Sequence, residues 1–342
     1  MFASARADNL EPEMSVTIAR HALAAASALA GCCALAGCGG APASPAPAPA
    51  PTPAHSMAPA RPSAVPAAVT HPPAQTHPPA PTPPPPAPPR VRIVRVRTTD
   101  GALVILATFL GPVRYVLHDG SGDPGPAAGL RAGPAVTGAE RTQLLAAFNG
   151  GFKLAAGVGG YMQEGRVLRP LRRGLASLVI DRSGQARIGV WGSGVPVPGK
   201  AVYSVRQNLP PLVLDGRPTA AAADWGLWGA TLGGGANVAR SAVGQDAAGH
   251  LIYAASMSAV PADLASALAS HGARIAMELD INPEWVQLDV ARRPGGPLTA
   301  AIPGQDRPAG QYLEGWTRDF FTVLAASAVA KATSPRQASL KP

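Results

Sequence analysis

The sequence predicts an α+β fold: a single domain of mixed, mostly antiparallel sheets flanked by a few helices. Two observations on residues 91–325 support this prediction. Apolar and polar residues alternate with a period of two in many short segments, which is typical of half-buried strands. Tight-turn dipeptides such as Asp100-Gly101 and Ser183-Gly184 separate several of these segments, so consecutive strands are expected to pair as hairpins. Helical patterns are few, and hairpins therefore outnumber β–α–β units.

The elements follow one another with clear boundaries. Strands are predicted at 91–98, 102–110, 114–118, 174–181, 185–191, 241–245, 250–255, 285–290 and 317–324. A first helix, 137–147, begins at Thr137 with Glu140 three residues later, which is a capping-box pattern. A second helix, 261–271, has Pro261 at its first position and Gly272 just after its end.

A further strand, 274–282, has the most informative pattern in the chain. One face carries the apolar side chains Ile275, Met277, Leu279 and Ile281, and the other carries Glu278, Asp280 and Asn282 before Pro283 ends the strand. Neighbours on one face lie roughly 7 Å apart. Two carboxylates at that distance repel each other unless a cation or a substrate meets them. We therefore predict a functional site on this face.

The N-terminal residues predict export. From a preferred start at Met14, a basic residue precedes a short Ala/Leu-rich run, and the run ends at Leu35-Ala36-Gly37-Cys38. This junction is typical of a bacterial lipobox, so residues 1–38 are predicted as a signal peptide with lipidation at Cys38. An ordinary secretory signal is the alternative. All three cysteines lie in this segment, so residues 39–342 contain no disulfide and no thiolate metal site.

The composition of the flanking segments indicates a tethered domain. Residues 39–90 are rich in Pro and Ala and are predicted to form a disordered spacer, and 326–342 form a disordered tail. The lipid would anchor the protein to the outer face of the cytoplasmic membrane, with the domain projecting into the cell wall. The net charge of +9 suits a phosphate-bearing glycan or wall polymer as partner. No interleaving of aromatic and basic residues suggests a nucleic acid.

Four motifs occur in order along the domain. They are Phe148-Asn149-Gly150-Gly151-Phe152, the segment 206–216 that ends in Asp215-Gly216, Arg240-Ser241-Ala242-Val243-Gly244, and the helix 261–271 followed by Glu278-Leu279-Asp280. Together they resemble the phosphodiester glycosidase family over roughly residues 100–325. In that family the last motif continues as Gly-Gly-Gly-Ser, whereas this chain has Ile281-Asn282-Pro283-Glu284.

The resemblance implies hydrolysis of sugar-1-phosphate diesters. Arginine binds phosphate well through bidentate hydrogen bonds, so Arg240 is the candidate for that role. Asp280 or Glu278 is the candidate base or nucleophile. Substrate-binding candidates are Asn149, Gly150, Gly151, Asn282 and Asp215, although Asp215-Gly216 is also typical of a hairpin turn.

Two other functions remain open at this stage. The missing glycine run favours a wall-glycan binding module that has lost catalysis. The spacing of Glu278 and Asp280 also lies within the range of an ordinary inverting glycosidase. No cofactor or metal is predicted, and a divalent cation between the two carboxylates is a minor alternative.

Overall fold

The computed structural model describes residues 90–125, 129–229 and 233–326. All of them lie within one compact unit, Pro81–Pro342. The predicted signal peptide, Cys38, residues 39–89 of the spacer and residues 327–342 of the tail lie outside the described residues. No helix among the described residues is long and apolar enough to cross a bilayer.

The described residues form strands, three α-helices and three 3-10 helices. The strands are β1 (Val91–Arg97), β2 (Leu103–Phe109), β3 (Val113–His118), β4 (Leu144–Asn149), β5 (Tyr161–Gln163), β6 (Arg166–Arg169), β7 (Ala176–Ile180), β8 (Ala186–Val190), β9 (Ser204–Gln207), β10 (Val213–Leu214), β11 (Arg217–Pro218), β12 (Val238–Asp246), β13 (Leu251–Ala259), β14 (Ala273–Glu278), β15 (Leu288–Ala291), β16 (Leu298–Ala300) and β17 (Phe320–Ala325). The α-helices are α1 (Gly138–Gln143), α2 (Pro261–Ser270) and α3 (Gln311–Glu314), and the 3-10 helices are Leu154–Ala156, Ala220–Ala223 and Trp225–Trp228.

Three antiparallel sheets make up the domain, and the predicted α+β class is confirmed. Sheet A has the strand order β1-β2-β13-β12-β14-β10-β11. Sheet B has the order β16-β15-β4-β17-β3, and sheet C has the order β6-β5-β9-β7-β8. Sheet A is buried on both faces: sheets B and C pack against one face through the largest apolar cluster, and α2 packs against the other. Small residues such as Ala242 and Ala254 fill its central strands, which lets α2 pack closely.

Strand β14 follows the predicted alternation only as far as Glu278. Met277 and Leu279 face sheets B and C, and Ala276 faces α2. The strand ends at Glu278 rather than at Pro283. Beyond it, the Asp280 carboxylate accepts hydrogen bonds from the N–H groups of Ile281 and Asn282, and this local turn ends the pleat. The prediction that Glu278, Asp280 and Asn282 share one regular strand face is therefore wrong.

The first predicted helix is also only partly correct. Helix α1 ends at Gln143, and Leu144–Asn149 instead forms β4, which pairs with β15 and β17. The capping box is absent, because the Thr137 side chain makes no cap hydrogen bond. The Glu140 carboxylate instead lies 2.8 Å from His118 Nε2 and accepts a hydrogen bond from Thr322.

Candidate active site

The ends of β4, β12 and β14 meet where sheets A and B face each other. The side-chain amide of Asn149, the last residue of β4, donates a hydrogen bond to Ser241 Oγ at 2.8 Å. The side-chain oxygen of Asn149, Oδ1, accepts a hydrogen bond from the Tyr253 hydroxyl, also at 2.8 Å. Ser241 Oγ lies 3.1 Å from both the backbone nitrogen and the carbonyl oxygen of Asp280. The structure thus brings Asn149 and Asp280 together, with Ser241 between them.

Asp280 is paired with an arginine that the sequence reasoning missed. Arg318 Nη2 donates to Asp280 Oδ2 at 2.9 Å and to the carbonyl oxygen of Gly151 at 2.8 Å. Arg318 Nε also lies 3.4 Å from Asp123 Oδ2. Burial raises the pKa of Asp280 to about 6, although Arg318 and the Ile281 and Asn282 N–H groups favour the charged form. A carboxyl group with this pKa can exchange a proton near neutral pH.

Glu278 is paired with Arg240 on the other face of sheet A. Arg240 Nη1 donates to Glu278 Oε1 at 2.7 Å, and the two side chains are only 0% and 1% exposed. Arg240 also donates to the carbonyl oxygens of Trp228 and Ala259. Burial raises the pKa of Glu278 to about 8, against the opposing effect of Arg240. Arg240 therefore holds Glu278 and is not presented to solvent as a phosphate ligand.

Polar atoms around this second pair have spare hydrogen-bonding capacity. Arg240 Nη2, Glu278 Oε2 and Asn208 Oδ1 are buried and have no hydrogen-bond partner among the described residues. The Asn208 amide meanwhile donates to the carbonyl oxygens of Glu278 and Leu279. A buried unsatisfied polar atom costs roughly 1–3 kcal/mol. We therefore expect water or a substrate hydroxyl to meet these atoms.

A third arginine–carboxyl pair fixes the glycines that follow Asn149. The side chains of Arg206 and Asp319 are fully buried, and Arg206 Nε lies 2.7 Å from Asp319 Oδ2. A Cβ atom added to Gly150 would lie 2.0 Å from Asp319 Oδ2, and one on Gly151 would lie 2.9 Å from Arg206 Cζ. Only glycine fits at these two positions, because the ion pair occupies the space of a side chain. Gly150 and Gly151 thus let the backbone pass beside the charged groups.

Of the two remaining predicted residues, Asn282 is half-buried and Asp215 is exposed. Asn282 is half-buried, next to Pro283 and Glu284, which are exposed. Asp215 is exposed in the two-residue turn between β10 and β11, with a φ of 51°, as its hairpin alternative predicted. No hydrogen bond or ion pair among the described residues joins it to Asn149, Glu278 or Asp280. The structure therefore does not bring Asp215 to the candidate site.

Arg318, Asp319, Arg206 and Ser241 are the residues that the sequence reasoning did not select. Ser241 lies inside a recognised motif, directly after Arg240. Arg318 and Asp319 stand side by side just before the apolar strand β17. Adjacent charges of opposite sign entering a fully buried strand are unusual, because buried charges need partners. The adjacent pair Arg318-Asp319 is therefore the feature of the sequence that indicates buried charges with partners at this position.

No metal site of conventional composition is present in the parts of the chain that the structure describes. No three or more His, Cys, Asp or Glu side chains are grouped there to hold an ion. Glu278 and Asp280, the pair considered for a divalent cation, are each bonded to an arginine. Positive charge at the site is thus supplied by guanidinium groups.

The predicted family resemblance can be compared with the known protein families. The model of the phosphodiester glycosidase family matches residues 142–280. The predicted resemblance to this family is therefore confirmed over that segment. The match includes Asn149, Arg240, Glu278 and Asp280, and it ends immediately before Ile281-Asn282-Pro283-Glu284.

Two solved structures with similar chains are informative about the extent of the likeness. One is the catalytic domain of zebrafish N-acetylglucosamine-1-phosphodiester alpha-N-acetylglucosaminidase, auto-inhibited by its pro-peptide; it is 15% identical, covers 69% of this chain and 82% of its own, and has a TM-score of 0.44. The other is a hypothetical protein from Synechocystis, with 15% identity, 69% and 62% coverage and a TM-score of 0.40. None of the curated proteins matches the sequence.

Proposed function

We propose that this protein hydrolyses phosphodiester glycosides at the bond between an anomeric carbon and a phosphate oxygen. The family match supports a hydrolase of this substrate class. The observation that carries the proposal is the buried pair of Asp280 and Arg318, at 2.9 Å, beside Asn149 and Ser241. The Asp280 carboxylate, which can accept a proton, thus lies next to the Arg318 guanidinium, which can bind a phosphate.

The reaction needs few groups because phosphate is a good leaving group. The oxygen of a water molecule attacks the anomeric carbon, and the proton that it loses passes to Asp280. The bond from that carbon to the phosphate oxygen breaks, and its electron pair leaves with the phosphate monoester. Arg318 stabilises the phosphate charge through its guanidinium group. Asn282 is the candidate for hydrogen bonds to sugar hydroxyls. The predicted Asn149 positions Ser241 instead, because both of its amide hydrogens and its side-chain oxygen already have partners within the protein.

Arg318 is better placed than Arg240 to meet the phosphate. It contacts the Trp285 ring at 5.0 Å, and the exposed Lys153 lies 5.9 Å from the same ring. The exposed residues Pro283 and Glu284 precede Trp285 directly. A substrate that approaches between Lys153 and the exposed residues Pro283 and Glu284 therefore reaches Arg318 before it reaches Arg206 or Arg240.

The decisive experiment compares Asp280→Asn with the wild type on a sugar-1-phosphate diester. We expect the change to reduce kcat by about 10²–10⁴-fold, because a general base contributes that much. The matched control is Asp215→Asn, the same chemical change in an exposed turn whose positive φ suits Asn. Equal rates for wild type and Asp280→Asn, or no turnover by the wild type, would contradict the proposal.

A glycan-binding module without catalysis is the second candidate, and one observation favours it. Glu278 and Asp280 are only 1% and 5% exposed, so a substrate reaches them only if the neighbouring loops move. Saturable binding of a phosphodiester glycan without turnover is the result that this candidate predicts. Release of reducing sugar from phosphate-free glycans would instead indicate the third candidate, an ordinary glycosidase.

We further propose that the protein acts outside the cytoplasm, on surface or cell-wall polymers. The predicted signal peptide, the lipobox at Cys38 and the spacer at 39–90 support this location. Expression of Cys38→Ala beside the wild type tests it. The wild type should fractionate with membranes, and the variant should lose that association. Membrane association of both proteins to the same extent would contradict lipidation at Cys38.

A further inference from the structure

Positive charge is unevenly distributed along the chain. Residues 158–203, which include four of the five strands of sheet C, contain seven Arg or Lys and two Asp or Glu. Residues 204–326 contain eight Arg or Lys and eleven Asp or Glu. The excess positive charge within the described residues is therefore carried by the first part of the domain, and a substantial share of it lies on sheet C.

Four of these positive charges lie on and just after β6, the edge strand of sheet C. Arg166, Arg169, Arg172 and Arg173 are all exposed, and we call them the basic edge. Among the described residues, Arg169, Arg172 and Arg173 have no carboxylate within 4.0 Å, and their guanidinium groups contact only backbone carbonyl oxygens. Three of these four side chains thus carry charge that no carboxylate of the described residues neutralises.

The nearest acidic residue in sequence does not change this balance. Glu164 Oε1 accepts hydrogen bonds from the N–H groups of Arg131 and Ala132, each at 2.8 Å. Its other oxygen lies 3.9 Å from the Arg131 guanidinium. Glu164 is therefore held by the neighbouring loop and does not offset the charges of Arg169, Arg172 and Arg173.

The basic edge connects to the mouth of the candidate active site. Arg172 donates a hydrogen bond to the carbonyl oxygen of Gly157, which ends the 3-10 helix Leu154–Ala156. Lys153 directly precedes that helix, and the N–H of Leu154 donates to Asp123, which lies beside Arg318. From Lys153 to Gly157 the chain rises about 8 Å. The four residues of β6 add roughly 10 Å.

We propose that the basic edge and Lys153 form a track that binds an anionic polymer with repeating phosphodiesters and leads it to Asp280. The inference rests on the proposed function, because it assigns the track to that same substrate class. A row of cations raises the local concentration of a polyanion and slows its release. The segment 162–174 has no aromatic residue on which bases could stack, so a phosphodiester glycan is favoured over a single-stranded nucleic acid.

The chain offers a matched control for this proposal. β1 is the edge strand of sheet A and carries three exposed arginines, Arg92, Arg95 and Arg97. The triple change Arg169→Gln, Arg172→Gln and Arg173→Gln removes the same net charge as the triple change Arg92→Gln, Arg95→Gln and Arg97→Gln. General attraction between a basic protein and a polyanion is therefore equal in the two variants, and only a localised track distinguishes them.

The experiment measures binding of a labelled linear polymer of N-acetylglucosamine 1-phosphate to full-length protein that carries Asp280→Asn. We expect the basic-edge triple to bind at least about tenfold more weakly than the β1 triple. The slope of log Kd against log salt should decrease by roughly 2, since each lost contact to a flexible polyanion contributes about 0.7. Thermal unfolding should show that both triples fold. Equal weakening by the two triples, no weakening, or equal affinity for single-stranded DNA of matched charge would overturn the proposal.

Activity assays separate this inference from the proposed function. With Asp280 intact, the basic-edge triple should lower kcat/KM on the polymer by a larger factor than on a small sugar-1-phosphate diester. If the wild type hydrolyses neither substrate, yet the basic-edge triple alone loses polymer binding, the proposed hydrolysis fails and the track stands.

Discussion

Asp280 and Arg318 form a 2.9 Å ion pair across 38 residues of sequence. Asp280 lies just past the end of β14 in sheet A, and Arg318 lies just before β17 in sheet B. The pair therefore bridges two sheets at the point where Asn149 and Ser241 also meet. The chemistry of the site therefore depends on how sheets A and B pack against each other.

The pH dependence of activity should follow Asp280. Its pKa of about 6 means that it loses its proton as the pH rises through 6. Because the proposed base must be deprotonated, kcat/KM should rise about tenfold per pH unit below 6 and level off above it. A pH profile between 4.5 and 8 checks this, with Asp215→Asn as the variant that keeps the profile. A rate independent of pH over that range would argue against Asp280 as the base.

Stability should depend on pH through Glu278. Burial raises its pKa from 4.5 to about 8, so between these values the folded protein holds a proton that the unfolded chain has released. Its contribution is fully present below pH 4.5 and is lost as the pH rises through 8. We expect the free energy of unfolding to fall by a few kcal/mol over this window.

Glu278→Gln should remove most of that dependence, because the amide does not titrate and can still accept a hydrogen bond from Arg240; what remains comes from Asp280, whose raised pKa of about 6 acts in the same direction at the acid end of the window. Urea unfolding at pH 5 and pH 8 measures the difference for both proteins. A wild-type stability that rises over this window, or an unchanged slope in the variant, would contradict the assignment to Glu278.

Breaking the Arg206–Asp319 pair should be strongly destabilising. Asp319→Asn leaves the Arg206 guanidinium fully buried with only a neutral partner, and we expect a loss of about 3–5 kcal/mol. The double variant Asp319→Asn with Arg206→Met removes both charges and should recover part of that loss. Denaturant unfolding checks both variants. A double variant that is less stable than the single one would show that the charge imbalance is not the main cost.

Gly150→Ala should disturb the site through Asp319. The added methyl would lie 2.0 Å from Asp319 Oδ2 and 2.6 Å from its carbonyl oxygen, so the ion pair or the backbone must shift. We expect about 1–3 kcal/mol of destabilisation and a lower kcat. The matched control is Gly233→Ala, because no atom of the described residues lies within 4 Å of a Cβ there. Equal melting temperatures for the two variants would show that the space beside Asp319 is not restrictive.

Much of the fold was predictable because it follows local patterns. The hairpins β7–β8 and β12–β13 and the helix α2 lie where alternation, turn residues and capping predict them. Strand β4 was not predictable in this way, because Leu144-Leu145-Ala146-Ala147 favours a helix locally. Its partners β15 and β17 lie about 140 residues or more away in the chain, and pairing on both sides overrides that preference.

The same distinction applies to the site. Asn149, Glu278 and Asp280 stood out because their motifs and alternation are local in sequence. The partner of each carboxylate is a long-range contact: Arg240 was expected at the phosphate but is bonded to Glu278, while Arg318 was not selected. The spacing of residues along a strand indicates which groups are close to one another on that strand. It does not indicate which arginine from another part of the chain contacts them.

The position of β17 has a consequence for the timing of activity. It is the last strand of the described chain, yet it lies between β4 and β3 inside sheet B. Arg318 and Asp319 immediately precede it. During synthesis the earlier strands emerge first, but Asp280 and Gly150 have no charged neighbours from this segment until β17 has inserted. The site is therefore complete only once β17 occupies its place between β4 and β3.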